Sequence, residues 1–394
     1  MWIKREIEST LRDVAASRPA IVVTGARQTG KTSLLRMAFP EHAYVSLDVP
    51  MEADRAEGSG EQFLAQHPPP LIVDEIQHAP GLLRHIKAAI DAHRDLRGQY
   101  LITGSQRFEL MRGVTESLAG RAAVLVLHSL SALEIGKWSG MPWSRSRLIE
   151  AMFLGGYPEL WREGLSPERF YADYTATYLE RDVRTALKVR SLRDFDRFMR
   201  LCAARSGQLV SANALASDLG VSANTVRAWT SVLEASSVIG LIEPFHGNLG
   251  KRIVKTPKLY FLDTGLQCYL LGFRKPADLD LSPMLGALFE THVYGQLVRR
   301  FANAGRRPDL FFFRDHDGNE VDFLLTSGGK IRALECKWAE RPDPRHRGIS
   351  TLRSLLGPEN PMSATLISPD PGRRRVGDLN VDDSVGLEFL DESG

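Results

Sequence analysis

Residues 19–39 read PAIVVTGARQTGKTSLLRMAF, and three segments of different character follow one another in them. Ala20 to Thr24 is a short apolar run of the kind that forms a buried strand. The residues after Lys31 repeat their apolar side chains with helical periodicity. Between the two, Gly25, Gly30, Lys31 and Thr32 stand at the spacing G-x-x-x-x-G-K-[ST]. A strand before and a helix after are the context in which this spacing predicts a phosphate-binding loop. Small residues let backbone N–H groups close around phosphate oxygens at a helix N-terminus. Gln28, Thr29 and Ser33 are therefore expected to line the same cradle. Lys31 supplies charge for the outer phosphates and the Thr32 hydroxyl an oxygen for Mg²⁺, so ATP and Mg²⁺ are the expected cofactors.

Two later strands carry the rest of this chemistry. PPPLIVDEIQ (residues 68–77) is an apolar strand ending in Asp74-Glu75, a Mg²⁺-associated carboxylate beside a general base for water. QYLITGSQ (99–106) is a further strand with a polar tip, where Ser105, or alternatively Thr103, would contact the γ-phosphate or the attacking water. SLAGRAAVLVL (117–127) sets Arg121 just before a fifth strand. Together these features resemble the AAA-plus class of P-loop ATPases. That resemblance implies that Arg121 is a finger donated to a neighbouring subunit's nucleotide, and hence a homo-oligomer, with a hexamer favoured. LGGYPELW and DYTATYLERDV then punctuate a helical region expected to form a lid. Arg181 there would reach nucleotide or pair with its flanking Glu180 and Asp182.

The 394 residues are too many for one ordinary core. An apolar fraction of 43% and a charged fraction of 25% fit a globular chain, and no apolar run approaches the roughly 20 residues of a membrane helix. Cys202, Cys268 and Cys336 lie far apart without metal-ligand spacing, as expected of cytoplasmic thiols. Net charge is only +2, but Ala186–Tyr260 holds 11 Lys and Arg against 5 Asp and Glu. That balance suits a polyanion partner or a solvated face.

Within this basic region, residues 209–245 show two short helices around a Leu-Gly-Val-Ser turn, with Ser222 as N-cap of the second. Ala214, Leu215, Leu219, Val226 and Leu233 are the expected apolar seam. Strands flanking the basic loop HGNLGKRIVK follow. The pattern is similar to winged helix-turn-helix DNA-binding domains. The DNA contacts it implies are Arg227, Lys251, Arg252, Lys255 and Lys258, through phosphates and without sequence reading.

EVDFLLTSGGKIRALECKW (320–338) reads as a hairpin turning at Gly328-Gly329, which sets Asp322 opposite Glu335 and Leu324 opposite Ala333. Asp322, Glu335 and Lys337 then share one face, and Val321, Phe323, Leu334, Cys336 and Trp338 the other. Two opposed carboxylates repel unless a divalent cation or the Lys337 ammonium offsets them. An acid on one strand followed by Glu-x-Lys on the next resembles the PD-(D/E)xK nuclease superfamily. The resemblance implies a further acid from a preceding helix, which Glu290 supplies. It also implies a metal held by Glu290, Asp322 and Glu335, with Lys337 positioning the attacking water.

From end to end the chain resembles a prokaryotic family of AAA-plus ATPases with a C-terminal domain of unknown function. The expected architecture is α/β throughout. A parallel-sheet AAA-plus ATPase domain spans 1–140, a helical lid or linker 141–190, a winged helix-turn-helix 191–265 and a PD-(D/E)xK nuclease-like domain 266–394. Asp263 in YFLDTGL is expected to cap the helix after it. The function expected is a Mg²⁺-dependent, oligomeric ATPase acting on DNA, with branched or recombination and repair intermediates as substrates. An ATP-gated metal-dependent nuclease and a DNA-free protein remodeller or switch are the alternatives.

Overall fold

The computed structural model describes residues 2–104, 117–178, 192–245, 253–307, 309–339, 343, 345–376, 379–387 and 390. Ser105, Arg181, Lys251 and Arg252 lie outside these. The first sheet is built from β1 (Ala20–Thr24), β2 (Ala43–Ser46), β3 (Leu71–Asp74), β4 (Tyr100–Gly104) and β5 (Ala122–Val126). They are parallel, in the order β2-β3-β4-β1-β5. All five residues of β1 are buried, because helices cover both faces of a parallel sheet. Ile21, Val23, Leu101 and Leu125 pack under the Ile7–Ser17 and Lys31–Ala38 helices, while Val22, Val73 and Ile102 pack under Leu82–Ala92. The loop after β1 and the tips of β3 and β4 therefore meet at one edge of the sheet, where parallel sheets collect their ligands.

Helices Arg145–Leu154, Pro158–Glu163, Pro167–Tyr178 and Leu192–Ala204 follow, and then the pair Ala212–Leu219 and Ala223–Ala235. Gly220 turns that pair at φ +72, and the Ser222 hydroxyl accepts the Thr225 N–H at 3.0 Å. Leu215, Leu219, Val226 and Leu233 form the seam, but Ala214 is exposed and Ala216 takes its place. The helix is rotated by the turn it must make with its neighbour, which alanines on two faces do not fix.

The second sheet adds β6 (Gln208–Leu209), β7 (Ile239–Pro244), β8 (Lys258–Phe261), β9 (Leu310–Arg314), β10 (Glu320–Ser327), β11 (Lys330–Cys336), β12 (Met362–Ser368), β13 (Arg374–Val376) and β14 (Leu379–Asp383). Their order is β13-β14-β12-β11-β10-β9-β7-β8-β6. The expected division at 265/266 thus runs through one continuous sheet, because β7 pairs in parallel with β9 through Glu243↔Phe311 and Pro244↔Phe312. The β10–β11 hairpin has the expected register, Phe323↔Leu334 and Leu324↔Ala333. One placement differs: a bulge against β9 falls between Val321 and Leu324. Val321 consequently packs with Leu324 and Ala333, not with Phe323 and Leu334.

The two sheets are joined through Asp263. It caps the Thr264–Leu271 helix, accepting the Gly265 and Leu266 N–H groups at 3.1 and 3.4 Å. The same carboxylate accepts the Ser129 hydroxyl at 2.8 Å, the Gly156 N–H at 2.9 Å and the Tyr171 hydroxyl at 3.0 Å. Arg299, on the Leu285–Asn303 helix, pairs with it at 3.4 Å. Asp263 and Arg299 are both buried, so removing one partner leaves an uncompensated charge. Asp263→Ala is expected to destabilise the chain by about 3–5 kcal/mol, read as a lower urea midpoint in equilibrium unfolding.

Candidate functional site

The loop after β1 is shaped by residues that accept unusual backbone. Gly25 has φ +142, Gln28 φ +58 and Gly30 φ +89. A Cβ on Gly25 would stand 2.1 Å from the Leu127 carbonyl oxygen, so the chain leaving β5 is packed against this glycine. Gly30 ends the loop as N-cap of the Lys31–Ala38 helix. Lys31 is buried, and its Nζ donates to the Ala26 and Gly25 carbonyls at 2.9 and 3.2 Å. Thr29 is buried and its hydroxyl donates to the Ala26 carbonyl at 3.0 Å, holding the loop closed on itself.

Beside the loop, Asp74 is ringed by hydroxyls. Thr32 Oγ1 lies 2.8 and 3.1 Å from its two oxygens, Tyr44 OH lies 3.0 Å from Oδ2, and Thr103 donates to Oδ1. Thr103 also accepts the Glu75 N–H at 3.1 Å, so one β4 hydroxyl positions both acids. Glu75 sits at φ +57, a left-handed geometry uncommon for a carboxylate residue, and Gln77 donates to its Oε2. Burial, and then the Asp74 carboxylate, raise the Tyr44 phenol above its usual range and keep it a donor. An oxygen-only donor set of Thr32 and Asp74, beside a glycine-turned loop and a buried ammonium, fits Mg²⁺ with a polyphosphate.

Of the expected nucleotide residues, Gly25, Gln28, Thr29, Gly30, Lys31, Thr32, Asp74 and Glu75 lie in or beside this loop. Ser33 is on the helix that it starts. Arg121 lies elsewhere. It precedes β5, which runs parallel to β1 with Ala20↔Ala122, and so stands at the opposite sheet edge, about 13 Å of strand from the loop. There it makes a two-pronged pair with Asp91, both distances 2.8 Å. The Arg121 hydrogen bond holds the Asp91 carboxyl down at about 2.

Two contributors carry no local sequence signal. Tyr44 is an isolated tyrosine in a short strand. Arg5 is buried, and its guanidinium donates to the Thr29 carbonyl (2.9 Å), the His128 carbonyl (2.7 Å) and Glu134 (3.0 Å). It clamps the loop to the chain leaving β5.

The acidic residues of the second sheet also converge. Glu290 comes from the Leu285–Asn303 helix, Glu320 and Asp322 from β10 and Glu335 from β11. Lys258, expected among the DNA phosphate contacts, is only 1% exposed and stands among them. Its Nζ lies 3.1 Å from Glu290 and 4.0 Å from Asp322, and it pairs with Glu320. It starts β8, which is covered by the Leu285–Asn303 helix, so the side chain expected to meet phosphates is interior. Burial alone would lower its pKa, but Glu290, Asp322 and Glu320 outweigh it and hold Lys258 charged. Tyr260 also donates to Glu290. The Cys336 N–H donates to Asp322 Oδ2 at 2.8 Å. Glu335 Oε1 is met by Lys337 at 2.9 Å and His346 at 3.0 Å. Burial, then Glu290 and Glu335, push the Asp322 carboxyl well above the usual range. Glu335 is held below it because the His346 hydrogen bond and Lys337 overcome its own burial. Among the described residues, no group of three or more His, Cys, Asp or Glu is arranged to hold a metal ion.

Of the remaining expected DNA contacts, Arg227 and Lys255 are exposed. A larger cationic feature was not anticipated. A cleft of about 740 Å³ is lined by Arg300, Arg306, Arg307, Lys330 and Arg332 against Glu6 and Asp309. Its walls are the end of the Leu285–Asn303 helix, the Ile7–Ser17 helix and the β10–β11 hairpin tip, which the sequence separates by some three hundred residues. No helix among the described residues is long and apolar enough to cross a membrane.

Comparison with known proteins adds three matches to sequence families. Residues 17–136 match the family described as AAA domain, residues 145–277 the domain of unknown function DUF8612, and residues 285–380 the domain of unknown function DUF4143. Two uncharacterized proteins, Rv2008c of Mycobacterium tuberculosis and Mb2031c of Mycobacterium bovis, are each 29% identical over 358 residues. The match covers 89% of this chain and 78% of theirs. Among solved structures, the Walker-type ATPase paby2304 of Pyrococcus abyssi is similar at 16% identity. That alignment covers 67% of this chain and 94% of that one, with a TM-score of 0.45.

Gly25→Ala is expected to cost roughly 1–3 kcal/mol of stability through backbone strain and the Leu127 contact. The substitution should also weaken binding of a fluorescent ATP analogue in titration, whereas Asp91→Ala, away from the loop, should leave that binding unchanged.

Proposed function

The chain carries an AAA-type P-loop ATPase domain joined to a C-terminal domain of unknown function, and on that footing we propose that it hydrolyses ATP with Mg²⁺ and couples turnover to DNA. The observation that carries the ATPase half is the Thr32–Asp74–Thr103–Glu75 chain of hydrogen bonds beside the glycine-turned loop. ATP with Mg²⁺ brings a γ-phosphoryl group whose negative charge must be neutralised as it transfers. Gly25 to Lys31 supply backbone N–H groups, and Lys31 leaves its loop carbonyls for the outer phosphates. Thr32 and Asp74 would hold the cation through their side-chain oxygens. Glu75, its amide fixed by Thr103 and its carboxylate by Gln77, accepts the proton of the attacking water.

Arg121 is a donor to a neighbouring protomer, since the sheet separates it from its own loop. Its pairing with Asp91 would be exchanged for the partner's nucleotide. This makes the active form a homo-oligomer, with a hexamer favoured. Lys31→Ala and Glu75→Gln are expected to abolish ATP turnover with the fold intact by circular dichroism. Arg121→Ala should lower kcat by about 10³-fold or more without weakening ATP binding. Mixing the Arg121→Ala and Lys31→Ala chains should restore part of the rate. Equal rates for Arg121→Ala and the native chain would reject the finger role.

For DNA, the support is the cleft between Arg306, Arg307 and Lys330, with Arg227 and Lys255 outside it. Such cations neutralise phosphates whatever the base sequence, which suits recognition of strand geometry, as in branched or repair-type substrates. Duplex, single-stranded or junction DNA is expected to raise the ATPase rate. Replacing Arg306 and Arg307 with alanine should reduce the slope of log binding constant against log salt by about 1.8. Turnover indifferent to every DNA form, with no binding at moderate salt, would overturn the DNA reading and leave protein remodelling.

A further inference from the structure

The nuclease-like resemblance implies a divalent metal on Glu290, Asp322 and Glu335, and the side chains around these acids do not fit one. Each carboxylate is already engaged. Glu290 accepts from Lys258 and Tyr260, Asp322 from the Cys336 N–H, and Glu335 from Lys337 and His346. Glu320 is held between Lys258 and Arg314, the latter at 2.8 Å. Lys258, buried, and Arg314 and Lys337, half-exposed at its rim, thus oppose the four carboxylates, and a divalent ion would turn the net charge of the cluster positive. Lys258 cannot readily step aside. It is 1% exposed, and its strand is hydrogen-bonded on both sides, to β6 and β7.

We propose that the Lys258 ammonium is the resident cation of this centre, and that the C-terminal domain holds its acids without a divalent metal and does not hydrolyse phosphodiesters. The centre then serves to fix the Leu285–Asn303 helix against β8 and β10. Nine residues further along that helix, about 14 Å away, Arg299 reaches Ser129 and Asp263 beside the ATPase sheet. The charge cluster is in this view an anchor for the strut between the sheets. It also disfavours the reading of the chain as an ATP-gated nuclease, and it does not depend on ATP hydrolysis.

The test is Mn²⁺ binding, followed by electron paramagnetic resonance on the nucleotide-free 394-residue chain carrying Asp74→Asn, so that the loop site contributes nothing. With Lys258 in place, no Mn²⁺ uptake is expected through the millimolar range, and Asp322→Asn changes nothing. Lys258→Met should expose the acids, so that one Mn²⁺ binds per chain, the ion raises the thermal midpoint, and Asp322→Asn removes both effects. Uptake of one Mn²⁺ by the Lys258 chain, lost in Asp322→Asn, would overturn the proposal, as would a folded Lys258→Met chain that takes up none. If Lys258→Met does not fold, the Lys258 chain and its Asp322→Asn variant decide alone. ATP turnover of the chain with native Asp74 is read separately, so failure here leaves the ATPase reading standing, and the reverse.

Discussion

The Asp263 carboxylate is the point on which the arrangement of the two sheets depends. It is buried, and it accepts from Ser129 after β5, from Gly156 between two helices, from Tyr171 on a third and from the cap of its own helix. Arg299 supplies the opposing charge. A buried carboxylate is costly unless its lone pairs are filled, so no one of these segments can leave without stranding the rest. Gly155 and Gly265 follow from the same constraint. A Cβ on Gly155 would stand 2.1 Å from Asp263 Oδ1, and one on Gly265 would stand 2.3 Å from the Tyr171 hydroxyl.

The six residues after β5 carry this constraint to the nucleotide loop. Leu127 donates its N–H to Thr24 at 2.8 Å and lays its carbonyl against Gly25. His128 accepts from Arg5, whose other nitrogens hold Thr29 of the loop and Glu134. Ser129 faces Asp263 and Arg299, Leu130 donates to Gly156, and Ala132 donates to Gln296 on the same helix as Arg299. A shift in the loop therefore meets, within one short segment, the groups that hold the second sheet. The helix bearing Gln296 and Arg299 also bears Glu290, so both ends of it are pinned by buried ion pairs.

What the sequence made legible was local. The phosphate loop is specified by spacing within a few residues. The β10–β11 register follows from where two glycines turn the chain, since period-two alternation leaves no freedom once the turn is set. The Ser222 and Asp263 caps are equally local. What was not legible depends on distant packing. The bulge that turns Val321 away from Phe323 arises against β9, and Ala216 replaces Ala214 because of a neighbouring helix. Lys258 was expected among the phosphate contacts because Lys251, Arg252 and Lys255 precede it, yet its strand is interior. Arg5 gave no signal, since an arginine in a charged N-terminal stretch reads as surface. The basic cleft is assembled from three segments that only the fold brings together.

The two acidic centres differ in a way that their partners make chemical. Around Asp74 the donors are hydroxyls of Thr32, Tyr44 and Thr103. A hydroxyl donates or accepts according to how it rotates, so these groups can give up the carboxylate and offer lone pairs to a cation at little cost. Around Glu290, Asp322 and Glu335 the donors are two ammonium groups, an imidazole, a phenol and two backbone N–H groups. An ammonium has no lone pair to offer, and a backbone N–H cannot turn. The same acidic groups are thus met by opposite kinds of partner. The hydroxyls of the first centre can turn their lone pairs outward, whereas the ammonium and backbone donors that hold the acids of the second have none to turn.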